Sequence, residues 1–281
     1  MGKRPIVLAV VNDVHAGSTV AVCPPEIRLD DGGYYKASKA QNWMWECWGD
    51  YWLKVKEARA KYHADLYQLF NGDLIDGDHH NTSQILSRNP NAQAAVWTAL
   101  AKTPLDLGPD KMFFVRGTEV HVGQSASGEE RIADGLRRDK RPVVSDPETG
   151  TASWWHVRPE IHGLRIDATH HGRAGQREHT RAGAIALYAH DILLSHIKAG
   201  DPYPHLCLRA HYHRLADSYD ACPTRVITNG AWQLSTGYVK KIAADTLADI
   251  AGLIVVIHPD GRYDVEKVQY KPSRGPVWRP E

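Results

Sequence analysis

Four short stretches of this 281-residue chain carry side chains able to bind a metal or move a proton. They are Asp13-Val14-His15, Asn71-Gly72-Asp73-Leu74-Ile75-Asp76-Gly77, Thr169-His170-His171-Gly172-Arg173 and Ala210-His211-Tyr212-His213-Arg214. Taken singly, each has an ordinary reading as an Asp-x-His or Gly-Asp turn, a polar turn, or a pair of surface histidines. Taken together they share a context. Each follows a short apolar run with the pattern of a buried strand, and strand ends are where loops present functional groups. Imidazoles and carboxylates gathered at one sheet edge make the donor set a metal site needs. A mixed nitrogen and oxygen set without thiolate suits Mn, Fe, Zn or Ni rather than Cu(I) or a cluster. The chain also holds 16 histidines, more than its 3 Phe and 3 Met together, and histidine is the commonest metal ligand.

The elements that must position these groups follow from periodicity. Ile6 to Val11 is a β-branched run, and Asp65 to Phe70 and Met112 to Val115 are similar; each ends in a polar turn, as buried strands do. Between the first two lies a helix, Ser38 to Tyr62, in which Trp45, Trp48, Trp52 and Val55 recur at i, i+3, i+7 and i+10. Burial against a sheet explains that stripe better than a base-stacking platform does. Further helices are predicted at Asn91 to Lys102, Glu129 to Arg138 and Thr180 to Ile197. Paired strands are predicted at Ser153 to Val157 and Leu164 to Thr169, and others at Leu206 to Arg209, Arg225 to Thr228 and Leu253 to Ile257. A turn at His258 to Arg262 leads into a last strand, Tyr263 to Tyr270. Early alternation of strand and helix, then strand-rich sequence, predicts a two-sheet α/β sandwich with helices outside. No repeat or linker interrupts it. The expectation is one domain over residues 1–281, with an inserted loop and Trp-rich helix at about 16–62.

Composition narrows the function classes. Lys and Arg number 34 against 33 Asp and Glu, a net charge of +1, so no global positive field draws nucleic acid. Only a local patch remains for that, Arg131, Arg137, Arg138, Lys140 and Arg141, whose usual meaning is a solvated helix face. The apolar run from Ile250 to Ile257 is far short of the ~20 residues of a membrane span, so no membrane association is expected. Cys23, Cys47, Cys207 and Cys222 form no Cys-x-x-Cys pair and are too few to staple the chain, which fits reduced thiols and a cytoplasmic setting. The opening Met-Gly-Lys-Arg-Pro-Ile has too short an apolar stretch for a signal peptide and reads as the approach to a first strand.

In their order the motifs resemble the calcineurin-like metallophosphoesterase superfamily, whose blocks are D-x-H, G-D-x-x-D, G-N-H-[DE], a His often before Gly, and G-H-x-H. Four of the five are present, in order, from Asp13 to His213. The opening through the tryptophan helix also looks like the members carried by phages and prophages. The resemblance implies a four-layer αββα sandwich of two mixed β-sheets flanked by helices, with a dinuclear metal site at the sheet edge. It assigns Asp13, His15 and His213 to a first metal, Asp73 as a bridge, and His171 and His211 to a second. His170 competes with His171, which is favoured because the family's ligand commonly precedes Gly, here Gly172. The third block departs from the pattern. It reads Arg116-Gly117-Thr118-Glu119-Val120-His121, so either the Thr118 hydroxyl or the Glu119 carboxylate replaces the family's amide ligand. His121 is the candidate to protonate the leaving oxygen or steady the phosphate, with Asp76 fixing its tautomer. Arg173 and Arg214 are candidates to clamp phosphate. His79 and His80 read more simply as solvated loop residues.

The implied activity is hydrolysis of a phosphodiester by a hydroxide bridging two divalent ions, Mn first among those named above. A nuclease of the same superfamily acting on DNA or RNA is the alternative, and a metal-poor scaffold the third. The partner is then a phosphate ester, extending to a nucleotide or nucleic acid. With only Arg173 and Arg214 basic beside the ligand candidates, diesters should be cleaved faster than monoesters. Gly17 to Ala37 is long enough to fold over a cleft and restrict it to small or single-stranded substrates.

Overall fold

In a computed structural model, residues 2–79, 81–173, 175, 178–243, 247–274 and 279 are described. Strand β1 (Ile6–Val11) is buried at all six positions. Both faces of its sheet are covered, so the run is apolar throughout instead of alternating. β1 pairs in parallel with β4 (Asp65–Asn71) and antiparallel with β11 (Ile250–Ile257). β5 (Lys111–Val115) closes one edge in parallel with β4, and β12 (Tyr263–Tyr270) closes the other against β11. The second sheet has the order β6 (Glu160–Ile161), β7 (Leu164–Ala168), β8 (Leu206–Arg209), β10 (Arg225–Thr228), β9 (Ala216–Asp217), with β7, β8 and β10 parallel.

Three apolar layers hold these sheets and the helices together. Between the sheets lie Leu8, Val10, Leu69, Val115, Ile166, Leu208 and Leu253. Outside the first sheet, α1 (Lys39–Tyr62), α2 (Pro90–Asp106) and α4 (Ser127–Arg138) bury Trp48, Trp52, Trp97 and Ala133 against it. Outside the second, α5 (Arg181–Ala199) seats Ile185 and Ala189 on Cys207 and Val226. The result is the four-layer αββα sandwich expected from sequence.

The start of α1 is fixed by a capping box, in which Gln41 N donates to Ser38 Oγ and Ser38 N donates to Gln41 Oε1. Its buried face is Met44, Cys47, Trp48, Tyr51, Trp52 and Val55, so the stripe is core as predicted, with Trp45 turned partly out at its margin. Tyr51 reaches the first sheet and donates to Leu253 O at 2.8 Å. A Cβ at Gly252 would stand 2.4 Å from its ring, so a side-chain-free position lets strand and tyrosine meet. β11 begins at Ile250, before the predicted start at Leu253, because that glycine serves close approach rather than a break.

One expectation is corrected. Ser153 to Val157 is no regular strand: it forms single bridges, Trp154 to Val115 and Val157 to Ala168, and β7 takes β6 as its hairpin partner. The segment after Gly17 is attached on both sides. Val20 and Val22 bond to Leu234 and Trp232, and the hairpin of β2 (Glu26–Arg28) and β3 (Tyr34–Lys36) reaches α2, where Asn89 bonds Asp30. In the basic patch, Arg137 and Arg138 both pair with Asp134 on the same helix, which leaves a compensated helix face. Short helices α3 (Glu119–Val122) and α6 (Gly237–Ile242) complete the described elements. Among the described residues no helix is long and apolar enough to cross a membrane.

Candidate metal centre

The carboxyl ends of β1, β4 and β5 and those of β7 and β8 meet at one edge of the sandwich. Open α/β sheets place ligand sites at strand carboxyl ends. The loops there carry Asp13 and His15, Asp73 and Asp76, Thr118, His170 and His171, and His211 and His213. Five of these, Asp13, His15, Asp73, His211 and His213, have φ between 47° and 73°. Left-handed backbone at residues other than glycine costs of order 1 kcal/mol each, and such strain gathers at functional sites.

Asp13 is the hub. Its Oδ2 accepts from Asn12 Nδ2 at 2.5 Å and from His211 N at 3.0 Å. Its Oδ1 is buried and has no hydrogen-bond partner, although Nε2 of His213 lies at 3.3 Å and those of His15 and His170 at 3.8 Å. His15 Nε2 and His213 Nε2 face each other at 3.1 Å. A bare carboxylate oxygen ringed by imidazole nitrogens is an arrangement that a cation satisfies. The donor set therefore fits a divalent ion held by Asp13, His15 and His213, which lie close enough to share one.

A second donor set adjoins the first. Asp73 Oδ2 is 3.0 Å from His170 Nε2, and its Oδ1 accepts from Thr118 N at 2.6 Å. Thr118 Oγ1 lies 3.2 Å from His171 Nε2 and 3.1 Å from His211 Nδ1. The donor atoms of His170, His171 and His211 are grouped closely, as are those of Asp13, Asp73 and His170. Both competing histidines thus reach the centre. His170, fully buried with Nδ1 on Asn71 O at 2.7 Å, is the one against Asp73; His171 is the more exposed and meets Thr118.

Glu119 stands apart from both donor sets. It begins α3, is exposed, and accepts from Ser125 N at 3.0 Å, so its charge serves the next turn, and Thr118 is the third-block residue whose oxygen faces His171 and His211. Gly117 must stay small: a Cβ there would lie 2.2 Å from Asp73 Oδ1. Asp76 also differs from expectation. His121 Nδ1 is held at 2.8 Å by the Asp76 backbone carbonyl, while the Asp76 carboxylate lies 3.2 Å from His15 Nδ1 and accepts from Gln233 Nε2 at 3.2 Å. The neutral His121 ring therefore carries its proton on Nδ1 and leaves Nε2 bare. His79 is drawn in rather than solvated, with Nε2 3.5 Å from Asp76 and its ring edge-on to His121. His80 lies outside the described residues. Arg173 pairs with Asp191 of α5 and stacks on Tyr188, away from a clamping role, whereas Arg214 keeps one buried amine without a hydrogen-bond partner.

The electrostatics of the cluster call for positive charge. Burial opposes ionisation of Asp13, yet His213 and His170 hold it well below the usual range, and His170 does the same for buried Asp73. Burial works against charge on His15 and His170 too, but carboxylates outweigh it. Asp13 and Asp76 lift His15 to about 10, and Asp73 and Asp13 lift His170 to about 9. By contrast burial, with the charge of neighbouring imidazoles, lowers His121 and His211 to about 4.

Sequence reading missed three supports. Asn229 donates to Asn12 Oδ1 at 2.6 Å, and Gln233 steadies Asp76. Both follow β10, so the strand-end rule that found the other loops would have flagged them. Glu129 on α4 gave no signal, since it sits in a helix of charged residues. It is buried behind the Asp73 loop, accepting from Leu74 N at 3.2 Å, and burial raises its carboxyl to about 8.

No family model matches this chain, and no curated protein matches it. Several solved structures are distantly similar to it. A hypothetical protein of Pyrococcus horikoshii is 10% identical with a TM-score of 0.43, over 95% of this chain and 89% of that one. A dimetal phosphatase of Danio rerio is 12% identical with a TM-score of 0.41, over 95% and 99%. A 5′-nucleotidase of Candida albicans is 12% identical with a TM-score of 0.39, over 93% and 50%. What the centre can do follows from its own geometry: two adjoining donor sets, joined through buried carboxylates, with His171 exposed at their margin.

Proposed function

We propose that this protein is a dinuclear metal-dependent phosphoesterase of the calcineurin-like kind, and that it hydrolyses phosphodiesters. The observation that carries this is Asp13 Oδ1, buried, unbonded and ringed by three imidazole nitrogens beside a second donor set. Asp13, His15 and His213 would hold one ion. His170, His171, His211 and Thr118 would surround the other, with Asp73 between them. Two divalent ions, Mn first among the candidates, would supply Lewis acidity to the phosphoryl oxygens and lower the pKa of a water.

The chain's own residues set the rest. His15 is oriented at Nδ1 by Asp76, and His121, with Nδ1 on a carbonyl, offers Nε2 to take up a proton or steady the phosphate. With Arg173 paired to Asp191 and the buried Arg209 paired to Asp167, few cations are left beside the ligands to meet a phosphate, Arg214 among them, and few cations suit the single charge of a diester better than the two of a monoester. The test is elemental analysis followed by a chromogenic diester and its monoester under Mn. Two metals per chain and faster diester cleavage are expected; monoester preference would overturn the diester assignment, and absence of bound metal would overturn the phosphoesterase.

A further inference from the structure

Helix α5 covers the outer face of the second sheet with one side and turns the other to solvent. Ile185 and Ala189 are fully buried on that sheet. On the opposite side Gly183, Leu187, His190, Leu194 and Ile197 recur at alternating spacings of four and three, the a and d pattern of two helices packed along their length. Three of these are large apolar side chains left in water: Leu187 is 68% exposed, Leu194 49% and Ile197 57%. A single exposed leucine needs no explanation, but three on one stripe of one helix form a patch.

Gly183 is an independent observation on the same stripe. Glycine within a helix costs roughly 0.5–1 kcal/mol relative to alanine. No left-handed φ calls for it here, and a Cβ at this position would meet nothing within 4 Å. The packing of one chain therefore gives no reason for a missing side chain, whereas close approach by a second chain does.

We propose that α5 is a dimer interface, in which two copies of this chain pack their α5 helices antiparallel about a two-fold axis near His190 and Asp191. That axis sets Leu187 against Leu194 of the partner subunit and Ile197 over Gly183 of the partner subunit, each contact made twice, as isologous pairing requires. The bulky end of one stripe meets the small end of the other, and the two helix dipoles oppose. Parallel pairing would set glycine on glycine and isoleucine on isoleucine, with a gap at one end and a clash at the other. Charge fits as well. Asp191 borders the stripe beside the axis, where it meets its own copy, and Arg173 brings a guanidinium to the same flank, donating to Asp191 Oδ2 at 2.8 Å and lying 5.6 Å from the Tyr188 ring centroid. Two carboxylates and two guanidinium groups then share one side of the seam. Because α5 has 19 residues and is about 28 Å long, the buried area falls at the small end of specific interfaces, and the dimer is reversible with a Kd in the micromolar range.

The test is sedimentation equilibrium of the full chain from ~1 to ~500 µM, which spans that range. The wild-type mass should rise from that of one chain toward that of two. Leu187→Asp and Leu194→Asp should each stay monomeric throughout, with thermal melts in dilute solution close to wild type because both side chains lie in water in the single chain. Gly183→Leu separates a fitted seam from a merely sticky patch. It adds apolar surface and helix propensity, so non-specific association would strengthen, whereas the antiparallel pair loses the seat of Ile197 and should weaken by about tenfold, within the cost of overpacking. A single chain at every concentration overturns the proposal, and so does a dimer that survives Leu187→Asp. A dimer unchanged or tightened in Gly183→Leu overturns the antiparallel packing.

Discussion

Carboxylates favour the extra protons of His15 and His170 against burial, raising the two groups to about 10 and about 9. A divalent ion that takes those imidazole nitrogens must displace them. Metal binding at pH 7 should therefore release about two protons, and apparent affinity should rise with pH toward 9; titration calorimetry in buffers of different ionisation enthalpy measures both, and uptake in place of release would be the contrary result. Asp73→Asn should lower the content of both metals and reduce diester turnover, since it weakens the carboxylate between the two donor sets; retention of both metals with normal turnover would remove that role. His121→Ala should keep the metals and cost about 10²-fold in turnover, the range for a positioned acid or base, whereas metal loss would make His121 a ligand. Most ligand candidates were legible from sequence because each is adjacent to a strand end. The choice left open in the third block depends on where a helix begins: one residue separates Thr118, beside the second donor set, from Glu119, which α3 turns away.

Helix α4 shows what periodicity does not reveal at the element scale. Glu129 lies on its buried face and accepts from Leu74 N in the turn after β4, so its carboxyl supports the loop of Asp73. Its charge is opposed first by burial and then by Asp73, which raises its pKa from 4.5 to about 8. A raised folded value contributes stability that is full below 4.5 and is lost as pH rises through about 8. Glu129→Gln, which keeps the shape of the neutral acid, should melt with a shallower dependence on pH from 5 to 8, while Glu129→Ala should lower the melting temperature throughout. Unchanged pH dependence in Glu129→Gln would show the carboxyl to be ionised. The long helices and central strands were legible because they obey single periods. The crossing segment 153–157 was not, because strand-like residues there pair at two isolated points with two different sheets.

At the scale of the whole molecule, metal would join the two sheets, since Asp13, His15 and Asp73 come from the first and His170, His211 and His213 from the second. Its removal should lower the melting temperature by about 5 °C per site at metal concentrations about a hundredfold above Kd, and excess Mn should restore it. Without metal, the stability supplied by protonated His15 and His170 is full below 6.5 and is lost as pH rises through about 9 to about 10, so the metal-free protein should soften toward alkaline pH more steeply than the loaded one. The layer order was foreseeable from alternating strands and helices; the junction between sheets was not, because it is made by residues nearly two hundred positions apart, such as Asp13 and His211. The left-handed backbone at Asp13, His15, Asp73, His211 and His213 sets selection for activity against selection for robustness. Glycine is the residue that relaxes each of these positions, and glycine binds no metal. Variants chosen only for heat resistance in the absence of metal should thus drift toward loss of the centre, with the partly exposed His213 the first to go.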